Sequence, residues 1–119
     1  MDPTKVLFIG YPKCSTCRKC YKALQDLGID ADYRNIKEEN PTAEEIRHWI
    51  SQGVDINQLF NTSGQLYRAN NVKEKRKTYT EDQLIELLAS DGMYVKRPIV
   101  IGKNQIIIGN KPDAYTSLK

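Results

Sequence analysis

The chain has no apolar run near the twenty or so consecutive residues that a membrane helix needs, so no membrane partner is expected. It has one histidine, His48, which argues against a metal or acid–base centre built on several imidazoles. It has three cysteines, an odd number crowded into positions 14–20, and that is not the spacing of a secreted disulfide framework. The first apolar stretch is short and leads straight into a polar turn, so no signal peptide is expected and a cytoplasmic, reducing location is. The formal net charge of +3 is too small to argue for direct binding of nucleic acid.

What the chain does have is a strand-like segment at residues 5–10 that runs through Tyr11-Pro12-Lys13 into Cys14-Ser15-Thr16-Cys17. A helix is expected from Ser15 to about Leu27, with Cys17, Cys20, Leu24 and Leu27 as its apolar stripe and Gly28 at its C′ position. Thiolate, not thiol, is the nucleophile, and a helix N-terminus favours negative charge on a sulfur placed there. Lys13, Arg18, Lys19 and Lys22 surround the cysteines, and nearby cations lower a thiol pKa. Cys14 is therefore the candidate attacking thiol, and Cys17, three residues on, the candidate resolving thiol. Cys20 lies in phase with Leu24 and Leu27 and reads as a small hydrophobe of the core. Three soft ligands without a fourth give a metal little support. Ser15 and Thr16 are expected to cap the helix or donate to the thiolate.

Further along, Ala31–Ile36 reads as a second strand that includes Tyr33, and the short crossover makes the pair parallel. Thr42 with Glu45, and Thr80 with Gln83, have the form of capping boxes that open helices. Gly53 and Asp91-Gly92 read as their ends. Asp55–Phe60 is expected to be a short helix or turn, Asn61–Asn71 a loop with a short helix, and the basic run Lys73, Lys75, Arg76, Lys77 a solvated helix end or loop. Residues 97–102 and 105–109 read as a hairpin around Lys103-Asn104, followed by a closing helix over Pro112–Leu118. The order β-α-β, helices, β-β-α is that of an α/β thioredoxin-like fold with a mixed four-stranded sheet. It predicts one domain over residues 1–119, with a helical insertion at about 38–94.

The chain resembles the glutaredoxin-like arsenate reductase family, which includes ArsC and the transcriptional regulator Spx. The resemblance spans essentially the whole chain. It is carried by Cys14-Ser15-Thr16-Cys17-Arg18-Lys19, by Arg34-Asn35-Ile36 and by Arg97-Pro98-Ile99-Val100. It implies that Cys14 is the nucleophile, that Arg97 holds negative charge at the site, and that Pro98 is cis and presents the preceding backbone to whatever occupies the cysteine site. It implies no bound cofactor, with electrons from thioredoxin or a small thiol. The other two arginines of the arsenate reductases fall at Asn61 and at or near Lys111, and neither side chain forks a tetrahedral oxyanion as arginine does. Weak or absent arsenate reduction is expected. Cys17 brings the chain nearer the Spx-like branch, for which the resemblance implies RNA polymerase as partner. The leading expectation is a thiol–disulfide oxidoreductase. A redox-sensing regulator is the second and arsenate reduction proper the third.

Overall fold

The computed structural model describes residues 6–119. Lys5, expected in the first strand, lies outside them. The chain groups into two compact units: one holds the described residues up to Asn35 together with Arg97–Lys119, the other is Ile36–Lys96.

The first unit is a mixed sheet with one long helix. Strand β1 (Val6–Gly10) leads to helix α1 (Ser15–Asp26) and strand β2 (Ala31–Asn35), and strands β3 (Ile99–Ile101) and β4 (Ile106–Ile108) follow the second unit. The sheet order is β2-β1-β3-β4. β1 pairs parallel with β2, Phe8 opposite Tyr33, and antiparallel with β3, Phe8 opposite Val100. β3 and β4 form the expected hairpin. Period-2 alternation sends Val6, Phe8, Val100 and Ile107 to one face, where they pack with Cys17, Cys20 and Leu24 of α1 and with Tyr115. Ile9 and Ile99 are fully buried on the other face. Helix α1 ends as its sequence dictates: Gly28 has φ +74°, a conformation that glycine adopts without Cβ strain, and its N–H bonds the Gln25 carbonyl. The closing segment Pro112–Leu118 is a 3₁₀-helix that packs on α1.

The second unit is helical. Both capping boxes form: Thr42 and Glu45 open α2 (Ala43–Ser51), and Thr80 and Gln83 open α5 (Glu81–Ser90), with side chain and backbone reciprocally bonded. Between them lie a 3₁₀ turn (Ile56–Leu59), α3 (Gln65–Ala69) and α4 (Val72–Thr78). α2 and α5 pack together, burying Ile46, Trp49, Ile85 and Leu88. The basic run falls on α4 and is not solvated throughout. The Arg76 guanidinium donates to the Tyr67 hydroxyl (3.0 Å) and to Asn57 Oδ1 (2.7 Å), and stacks 4.8 Å from the centre of the Phe60 ring.

Among the described residues no helix is long and apolar enough to cross a membrane.

Candidate active site

Cys14 occupies the N-cap of α1, with extended backbone (φ −87°, ψ 119°), and its N–H bonds the Tyr11 carbonyl at 2.9 Å. A β-region N-cap presents its side chain to the N–H groups of the first turn, which have no intrahelical acceptor. As a neutral thiol Cys14 closes no cap hydrogen bond. Its surroundings favour the anion instead. Burial alone would raise the Cys14 thiol, but the Cys17 backbone N–H, the Cys17 thiol and the Arg97 guanidinium outweigh it, and the pKa falls below the ordinary 9.0. Half-exposure at the surface leaves the sulfur reachable.

Cys17 is the opposite case. It is fully buried against the sheet, and burial pushes its thiol up to about 12, with the neighbouring Cys14 adding to the rise. The Tyr11 backbone works against that rise. Cys20 is also buried, and burial raises it too. Its thiol donates to Asn110 Oδ1 at 3.5 Å. All three cysteines are thiols in this structure.

Arg97 is brought to the cysteines from the far end of the chain. The Arg97–Pro98 peptide bond is cis. The Pro98 carbonyl accepts from the Gly109 N–H at 2.8 Å, which ties this corner to the end of the hairpin. The guanidinium stacks 5.4 Å from the centre of the Tyr11 ring. Tyr11 therefore serves the site twice, through its carbonyl and through its ring, and composition and spacing gave it no role. The signal lay in its position, an aromatic in the short turn between a strand and a cysteine. Tyr33, a strand residue by its sequence pattern, also borders the site. Burial, followed by the charges of Cys17 and Cys14, pushes its hydroxyl up to about 12, which places it beside the pair.

Several supporting assignments change. Ser15 and Thr16 lie inside the first turn of α1, so neither caps it; the cap position belongs to Cys14 itself. Lys13, Arg18 and Lys19 were expected to depress the Cys14 thiol, but Arg97 is the cation that does so most. Arg18 instead turns its guanidinium to the Pro12 carbonyl at 3.2 Å. Lys111 is exposed at the head of the closing 3₁₀-helix, where its backbone bonds are local, to Gly109 and Ala114. Asn61, the other position matched to an arginine, belongs to the helical unit. Its side chain donates to the Met93 carbonyl (3.5 Å) and accepts from the Ser63 hydroxyl (3.3 Å). It shapes a loop there.

A strand, a cysteine-capped helix and a cis-proline corner on a β2-β1-β3-β4 sheet define a thioredoxin-like protein, and the sequence profile of the ArsC family matches residues 9–118. The chain belongs to the ArsC family. It is 42% identical over 109 residues to the YusI protein of Bacillus subtilis, covering 91% of this chain and 92% of that one. It is 28% identical over 115 residues to the regulatory protein MgsR of the same organism, covering 96% and 90%. The crystal structure of an ArsC family related protein from Bacteroides fragilis superposes with a TM-score of 0.92 at 40% identity, covering 99% of this chain and all of the other.

Proposed function

We propose that the protein is a cytoplasmic thiol–disulfide oxidoreductase working through Cys14 and Cys17. The observation that carries this is the divergence of two neighbouring thiols, one lowered beside Arg97 and the other raised to about 12 beneath it. The Cys14 thiolate attacks one sulfur of a substrate disulfide. A Cys14–substrate disulfide forms and the departing sulfur leaves as a thiolate, which takes a proton from water. Cys17 then loses its proton and attacks the Cys14 sulfur. The Cys14–Cys17 disulfide forms and the second substrate thiolate departs. Substrate gains two electrons and the protein loses two. Thioredoxin or a small thiol returns them, and no bound cofactor takes part. Cys17 is a poor nucleophile toward free disulfides, because its high pKa keeps it protonated, and it attacks only the mixed disulfide held beside it on Cys14. Arg97 stabilises the Cys14 anion that opens the sequence, and stabilises it again once the external reductant has reduced the Cys14–Cys17 bridge.

The similarity to MgsR supports a second reading, a redox-sensing regulator of the Spx type in which the same bridge alters binding to RNA polymerase. Arsenate reduction proper is the least supported, because Asn61 and Lys111 stand where arginines would fork the oxyanion.

The test is turnover. Reduced protein is mixed with hydroxyethyl disulfide and regenerated by thioredoxin or glutathione. Sustained turnover that is lost in Cys14→Ser supports the oxidoreductase. One stoichiometric oxidation without turnover, with polymerase binding that depends on redox state, supports the regulator. Rapid arsenate reduction would overturn the assignment of Asn61 and Lys111.

A further inference from the structure

Beside Cys14 lies a cleft that the thiol chemistry does not use. It is open and shallow, of about 380 Å³, and is lined by Pro12, Arg18, Tyr21 and Tyr33. Its floor is aromatic. The Tyr21 and Tyr33 rings meet edge to face with centres 5.0 Å apart, and both pack on Phe8, at 5.2 and 5.1 Å. Gly10 makes room for this cluster: a Cβ there would stand 2.5 Å from Phe8 Cε1 and 3.1 Å from the Tyr33 hydroxyl. The Tyr21 hydroxyl donates to the Ala31 carbonyl at 3.3 Å, which fixes that ring against β2. Tyr33 stands on β2, the end strand of the sheet, and remains 37% exposed, one of two large hydrophobic side chains so placed among the described residues.

The rim is cationic. The exposed Arg18 guanidinium folds over Pro12, and the Arg18 N–H bonds the Cys14 carbonyl at 3.1 Å, one helical turn from the sulfur. Lys13 and Lys19, next in sequence to Pro12 and Arg18, are exposed as well. None of the three has an ion-pair partner among the described residues, and the first turn of α1 contains no acidic residue. An aromatic floor beside an exposed guanidinium with no ion-pair partner among the described residues complements a ligand that offers both an apolar side chain and a carboxylate. A short stretch of polypeptide carries two such unlike groups on either side of a sulfur.

We infer that the Pro12–Arg18–Tyr21–Tyr33 cleft is the docking site for a polypeptide partner, the segment flanking the sulfur that Cys14 attacks, with a carboxylate set against Arg18 and an aromatic or aliphatic side chain laid on Tyr21 and Tyr33. This deepens the oxidoreductase reading and rests on it. Substrates are then selected by the residues beside their cysteine, and acidic–aromatic neighbourhoods are favoured over basic or featureless ones.

The experiment uses three peptides, each with one cysteine held as a mixed disulfide with β-mercaptoethanol. One carries Glu and Phe beside the cysteine, one Gln and Phe, one Glu and Ala. Cys14 displaces β-mercaptoethanol, and a Cys17→Ser chain (or Cys17→Ala, where serine unfolds the core) traps the product for mass spectrometry. Hydroxyethyl disulfide reports the intrinsic reactivity of Cys14 in every chain. An exposed ion pair supports a preference of the Glu peptide over the Gln peptide of about two- to fivefold at low salt. That preference falls toward unity near about 1 M salt, where screening is nearly complete. Arg18→Gln removes the Glu preference, and Tyr33→Ala removes the preference for Phe over Ala. Ratios, not rates, are compared, so a change in thiol pKa cancels. Equal rates for all three peptides overturn the docking site, as do preferences that survive both substitutions. A hydroxyethyl disulfide rate equal to that of the best peptide also overturns it, in favour of a small-thiol partner. A Cys14 inert even to hydroxyethyl disulfide takes down the oxidoreductase reading and the docking site with it.

Discussion

The two ends of the cysteine run on α1 show how far placement outweighs residue type. Cys14 stands at the cap, half-exposed, with extended backbone and Arg97 close by. Cys20 stands less than two turns later, buried between the helix and Tyr115, with Asn110 as its acceptor. Both meet desolvation, which raises a thiol pKa. At the cap that penalty is overcome by the Cys17 N–H, the Cys17 thiol and a guanidinium. In the core it is not. Reactivity is thus a property of the junction between strand, turn and helix, and the same atom a little further along the helix is packing material.

The sharpest way to break this comparison is to exchange the two positions as targets. Cys14→Ser is expected to abolish disulfide exchange to the uncatalysed background. Cys20→Ala is expected to retain activity while losing about 1–2 kcal/mol of stability, the loss of a small buried side chain. Turnover assays and denaturant titration of both variants check this. An active Cys14→Ser, or an inactive but folded Cys20→Ala, would reverse the roles.

The next largest effect should come from Arg97. Replacing it with Gln removes a charge-assisted contact that is made to the Cys14 anion and not to the neutral thiol. Such contacts are worth about 1.5–3 kcal/mol, so Cys14 should lose about tenfold or more in reactivity at neutral pH, and its titration should move upward toward 9.0. Alkylation rates across pH measure both.

The buried thiols make a pH prediction of definite sign. Folded Cys17 holds its proton up to about 12, whereas the unfolded chain releases it near 9.0. Between those values the folded state binds more protons than the unfolded state, so stability falls as pH rises from about 9 to about 12. Cys17→Ala should flatten that limb of the stability profile, measured by denaturant unfolding at a series of alkaline pH values. Cys14, with its folded pKa lowered, has the opposite sign: its contribution is present at high pH and is lost as pH falls through its folded value.

The smallest effect concerns Tyr11. Its ring holds the Arg97 guanidinium by a cation–π contact, worth about 0.5–1 kcal/mol at a partly exposed site. Tyr11→Leu should therefore slow Cys14 about two- to fivefold while Arg97 is still present. In an Arg97→Gln background the same substitution should do almost nothing, which a double-mutant cycle reads directly.

Much of the first unit was legible because local rules and global fold agree there. Gly28 ends α1, the Lys103-Asn104 turn joins β3 to β4, and the Cys17, Cys20, Leu24 stripe faces the core. The capping boxes at Thr42 and Thr80 were legible for the same reason, since each is closed by residues three apart. What spacing did not reveal is what depends on distant partners. Arg97 reaches Cys14 only because the sheet places β3 beside β1. Its anchor on the Tyr11 ring is a contact across 86 positions of sequence, with no local pattern behind it. Arg76 has the pattern of one more solvated charge, yet it is held by Asn57 of the 3₁₀ turn, by Phe60 at the end of that turn and by Tyr67 of α3. Ser15 and Thr16 misled because their residue types favour caps, whereas here a cysteine holds the cap and they follow it into the helix.

The central claim is that Cys14 alone of the three thiols is ready to react, and one measurement addresses it most directly. Iodoacetamide labelling of the reduced, folded protein is followed across a pH series, with peptide mapping to give a separate rate for each cysteine. Cys14 should be modified first at every pH, with a midpoint below 9.0, while Cys17 and Cys20 stay protected until the fold gives way. If Cys17 or Cys20 is labelled first at neutral or acidic pH, or if the Cys14 midpoint lies at or above that of an ordinary thiol, the account is contradicted.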